Sequence, residues 1–175
     1  MQGEKAVALA RFTPRPILDM NKKNLALLAL EIVWWLFTGI IVWAILSKID
    51  KAMYVWPFRT LNIIFIVTLI TLTRYTFLVG HTFLAKQQIL KIVLLLLMFP
   101  VTFLLIDKLN GFMSYIEEQT WEPITGHLPP FEKMDMEHFI WNEMLFFGVG
   151  SIIAAPVFAV RMLISVWRTR NNGTA

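Results

Sequence analysis

The sequence predicts an all-α fold: a polytopic membrane protein with four transmembrane helices in a bundle, N-in/C-in, and a partly helical outer loop between helices 3 and 4. Three observations lead there. The 175 residues are 57% hydrophobic and only 16% charged, whereas a soluble domain is about 45–50% apolar and about 25% charged. Four apolar stretches reach or approach the roughly 20 helical residues needed to cross ~30 Å of hydrocarbon. Eleven of the 16 basic residues fall on one side of those stretches.

Each element follows in order. Residues 1–24 carry Lys5, Arg11, Arg15, Lys22 and Lys23 and the run Thr13-Pro14-Arg15-Pro16, so they form a short cytoplasmic or interfacial arm. Span one, 25–46, is broken only by Glu31. No small-residue cleavage site follows it, so it is expected to remain as a span and not leave as a signal peptide. Pro57 suits the first turn of span two, where its missing N–H costs nothing. That span, 58–83, stays apolar through Thr73 and passes Arg74. Span three, 89–106, is interrupted only by Lys91.

The outer loop, 107–138, is acidic. Leu109, Phe112, Met113 and Ile116 recur there at i, i+3, i+4 and i+7, one apolar helical face. They mark either an interfacial helix or an extension of span three. Trp121-Glu122-Pro123 and Leu128-Pro129-Pro130 interrupt it, and residues 131–142 read as helix again. Span four, 139–160, has Glu143 near its start, and a basic tail, 161–175, opens with Arg161. Helices are the default because lipid offers no partner to an open strand edge, and the period-2 alternation of barrel strands is absent.

Charge sets the orientation. The arm, the turn after span two (Arg74, Lys86, Lys91) and the tail (Arg161, Arg168, Arg170) hold the eleven bases; Lys48, Lys51, Arg59, Lys108 and Lys133 lie opposite. The positive-inside rule places the richer face in the cytoplasm. The sequence pI near 9.5 is thereby read as orientation and contact with anionic membrane lipid, with no role in nucleic-acid binding. Trp43, Tyr54, Trp56 and Trp141 fall at the outer interface, Tyr75 and Trp167 at the inner one, as aromatic belts do.

Three constellations could carry chemistry. An ionisable residue inside a span is costly and invites a functional reading. Glu31 lies about 9 Å into span one, with Trp34, Trp35 and Thr38 on its face, and Arg74 and Arg161 are expected at similar depth. The group is either a proton- or substrate-binding carboxylate or an interhelical ion pair that fixes packing. In span four, Gly148, Gly150, Ser151, Ala154 and Ala155 form small-xxx-small pairs, a face that lets another helix come close. That helix belongs either to this chain or to another, in a homo-oligomer or with a protein partner. Ser151 has no His at comparable depth to activate it. Near the start of span four, Asp135, His138 and Glu143 offer oxygen and imidazole ligands to a metal, although their spacing matches no established metal motif. Helix-start capping is the alternative reading. No phosphate loop, dinucleotide fingerprint or haem-ligating pair occurs, and with no cysteine thiol and iron–sulfur chemistry is excluded. No cofactor is expected.

Four short spans with a glutamate in the first resemble the small multidrug resistance transporters in Glu31 and the neighbouring Trp34 and Trp35. That resemblance implies a carboxylate shared by a proton and a cationic substrate. This chain is longer, adds the acidic outer loop and carries Arg74. The first expectation is an accessory or structural subunit of a membrane or envelope complex in the bacterial inner membrane, not an enzyme. The alternatives are a small oligomeric ion- or proton-coupled transporter using Glu31 and a membrane-embedded enzyme acting on a lipid-linked substrate.

Overall fold

A computed structural model describes residues 22–79, 82, 84 and 87–172. The arm before residue 22, Lys86, the last turn expected in span two and the end of the tail lie outside the described residues. Within them the chain is helical, with no strand: α1 (Lys22–Ala52), α2 (Arg59–Leu78), α3 (Gln88–Gln119), α4 (Glu122–Thr125) and α5 (Pro130–Asn172). Four of these, all but α4, are long and apolar enough to cross a membrane, so this is an all-α, multi-pass helical bundle.

Helices α1, α3 and α5 are longer than the apolar runs suggested. At 1.5 Å per residue, α2 spans about 30 Å, the 32-residue α3 about 48 Å and the 43-residue α5 about 65 Å. Of the two readings of 107–119, an interfacial helix or an extension of span three, the structure has the extension: α3 runs unbroken from Gln88 to Gln119. The buried side chains of that extension, Leu109 and Phe112, continue the face that Leu105 turns toward the bundle. Helix α3 stops at Thr120, whose φ of 59° departs from helical geometry. Proline begins α5 at Pro130, a first-turn position that its fixed φ favours. Pro100 and Pro156 sit inside α3 and α5, as membrane helices tolerate when neighbours re-satisfy the backbone.

The longest helix organises the rest. Helix α5 packs along both α2 and α3, whereas those two scarcely approach each other; α1 leans mainly on α2. Phe65, Ile66, Phe112, Ile140, Met144, Ala155 and Met162 are almost fully enclosed. The outer end is closed by aromatic rings. Phe58 meets Phe112 and Tyr115 edge-on, both at 5.1 Å, and Phe112 also touches Trp121 at 6.4 Å and Trp141 at 6.0 Å, separations at which aromatic pairs attract.

The outer connection is fastened by polar contacts. Thr125 donates to Glu137 at 2.6 Å, Lys133 pairs with Glu122, and His127 donates to the Ala52 carbonyl at 2.9 Å. Those bonds join α4 to α5 and the loop to the end of α1.

Candidate functional site

Two carboxylates enter the bundle at different depths and are handled differently. The inner one is Glu31 of α1. Arg74 of α2, 5% exposed, forms an ion pair with it. Tyr75 donates its hydroxyl to the other carboxylate oxygen across 3.4 Å. The guanidinium also lies 5.0 Å from the Tyr75 ring and 5.9 Å from the Trp34 ring, within the range of a cation–π contact. The i+3 spacing puts Trp34 on the Glu31 face, so one face of α1 supplies both the counter-charge and an aromatic wall.

Arg161 is not part of this group. Its Nε donates to the Thr76 carbonyl at 3.1 Å, which ties the inner half of α5 to α2. Thus Glu31 and Arg74 come together, and Arg161 fixes the neighbouring helix.

The small-residue face of α5 is occupied within the chain. A Cβ added at Gly148 would lie 2.8 Å from Leu109 and 3.3 Å from Phe65; one added at Gly150 would lie 2.9 Å from Leu69. Ser151 and Ala155 are fully buried and Ala154 is half-buried. Ser151 donates to the Gly148 carbonyl at 2.8 Å, one turn back on its own helix. The small side chains let α2 and α3 approach α5 closely, as in other membrane helices.

The outer cluster does not assemble as a metal site. Asp135 and His138 are exposed, and among the described residues no three His, Asp or Glu side chains gather around one point. Glu143 is five positions on from His138, about 140° around a helix of 3.6 residues per turn. Glu143 therefore turns inward while His138 faces out.

There Glu143 meets a residue that sequence reasoning passed over. Asn62 of α2 is completely buried and donates from Nδ2 to Glu143 Oε1. The signal was present: Asn62 is an amide within the otherwise apolar run Leu61-Asn62-Ile63-Ile64. Being uncharged, it did not interrupt that run as Glu31 did. Lys91, expected near the cytoplasmic turn, is likewise fully enclosed in the first turn of α3.

Chemically, the inner site is a neutralised pair and the Asn62–Glu143 site is a carboxyl bonded to an amide. Between α2 and α3 lies a cleft of about 950 Å³, walled by Leu61, Ile64, Leu104 and Leu105, with Asp107 and Lys108 among its lining residues. No protein-family model, curated protein or solved structure matches the chain.

Proposed function

We propose that this chain is an accessory, structural subunit of a membrane assembly in the bacterial inner membrane, whose cleft between α2 and α3 seats a helix of a partner protein. The observation that carries the reading is the cleft itself. Helices α2 and α3 both pack on α5 and scarcely approach each other, leaving an open, largely apolar trough between them. A helix seated there would pack against α2 and α3 at once, as neighbouring helices of a bundle do. The inner-membrane assignment rests on the four apolar spans and the charge bias.

The transport reading, which relies on Glu31, is weakened because Arg74 and Tyr75 already engage that carboxylate. An enzyme acting through Asp135, His138 and Glu143 would need them together, but Asp135 and His138 are exposed while Glu143 turns inward.

The test is photo-crosslinking in native membranes from Ile64 and Leu104, which face the cleft, and from Val33 on the exposed face of α1. Gentle extraction and mass spectrometry would follow. The expected result is a stoichiometric membrane protein linked from Ile64 and Leu104 and not from Val33. A clean homo-oligomer, or adducts to lipid alone from all three positions, would overturn the subunit reading.

A further inference from the structure

We propose that Asn62 and Glu143 form an intramembrane proton-binding site, in which one proton taken from water is held between Glu143 Oε2 and Asn62 Oδ1. This site is independent of the partner-helix reading. Asn62 is fully buried and Glu143 is 8% exposed. One hydrogen bond joins them, from Asn62 Nδ2 to Glu143 Oε1. The two remaining oxygens, Glu143 Oε2 and Asn62 Oδ1, are both buried without a hydrogen-bond partner.

The donor inventory makes this specific. An ionised carboxylate only accepts hydrogen bonds, and so does an amide oxygen. Neither orphaned oxygen can therefore serve the other, and each is costly when left unsatisfied in a dry interior. Adding a proton to Oε2 converts that atom into a donor. The acid and amide can then bond along both edges, Nδ2–H to Oε1 and Oε2–H to Oδ1. One O–H bond forms at Oε2 as one O–H bond of a hydronium ion breaks and releases water, and the side-chain charge goes from −1 to 0. The same proton removes a bare charge from the membrane interior, where charges are costly unless paired.

Charged groups on the surrounding elements are occupied elsewhere. Lys48 of α1 sits over the Phe139 ring, 3.8 Å from its centre. Arg59 of α2 bonds Asp50 at 3.0 Å, and Lys108 of α3 lies 3.4 Å from Asp107. On α5, Glu137 accepts from Thr125. Among the described residues no ion pair reaches Glu143, in contrast to Glu31. A proton, not a counter-charge, is what the site lacks.

The experiment is infrared spectroscopy of the purified full chain in lipid nanodiscs, titrated from neutral to alkaline pH in water and in deuterium oxide. At neutral pH a carboxylic C=O band is expected that moves to lower frequency in deuterium oxide and is lost in Glu143→Gln. Asn62→Leu is expected to keep the band and raise its frequency, which preserves the test if Glu143→Gln does not fold. Thermal stability of the wild type is expected to fall as pH rises through the loss of the band, while Glu143→Gln, whose amide supplies a permanent donor, stays flat there. Absence of any Glu143-dependent band at neutral pH would overturn the proposal. Stabilisation by sodium chloride but not choline chloride, without the band, would overturn it in favour of a metal cation.

Discussion

The inner and outer carboxylates answer the same problem in two ways. Glu31 meets an opposite charge, Arg74, held between two aromatic rings; Glu143 meets a neutral amide, Asn62. Glu31 is also 22% exposed at its side chain, whereas Glu143 and Asn62 lie within the interface of α2 and α5. An ion pair settles charge locally and gains from being near the interface. A carboxyl deep between packed helices has no such partner, and its remaining polar atoms determine what it can bind. The first arrangement reads as a clamp between α1 and α2, the second as a site.

Substitutions can break or sharpen that contrast. The largest effect is expected at the clamp. Arg74→Met should cost about 3–5 kcal/mol, because one partner of a buried pair is left uncompensated. The double variant Glu31→Gln/Arg74→Met should regain most of it, as unfolding in detergent with a double-mutant cycle would show. A double variant no better than Arg74→Met alone would remove the clamp. At the outer site, Asn62→Leu deletes the donor to Glu143 and should cost about 1–3 kcal/mol; adding Glu143→Met should restore stability if the cost arises from the stranded carboxyl.

Packing effects should be no larger than that at the outer site and should differ between two neighbouring glycines. Gly148→Ala drives a methyl against Leu109 and the Phe65 ring, both buried, for about 1–3 kcal/mol of overpacking. Gly150→Ala meets only the half-buried Leu69, whose tip can rotate away, so a loss below about 1 kcal/mol is expected. Thermal unfolding of the two variants side by side would check the ranking. The smallest effect belongs to Tyr75→Phe, which removes a 3.4 Å hydrogen bond and should cost about 0.5 kcal/mol. A loss as large as that of Arg74→Met would make the tyrosine, not the arginine, the main partner of Glu31.

What could be read beforehand depended on how strongly each residue broke a local pattern. Glu31 and Arg74 stood out because charges interrupt apolar runs. The face formed by Leu109, Phe112, Met113 and Ile116 was visible by its period, but its attachment to span three was not, since an interfacial helix and a lengthened span bury the same face. Asn62 escaped because a single amide barely lowers the apolarity of a window. Glu143 was noticed for the wrong neighbours: proximity in sequence grouped it with His138, while helical rotation places the two on different sides.

The sequence by itself determined the number of spans, their helical character and the polar residues that would need partners. Hydrocarbon leaves no alternative to closed backbone hydrogen bonding, and about 20 apolar residues measure its thickness. Only the tertiary structure decided which partners those residues found. Glu31 chose Arg74 and not Arg161, Glu143 chose Asn62, and the small face of α5 received α2 and α3 of the same chain. Those choices depend on helix rotation and the gap between axes, quantities that arise when four helices pack at once and that no single stretch of sequence contains.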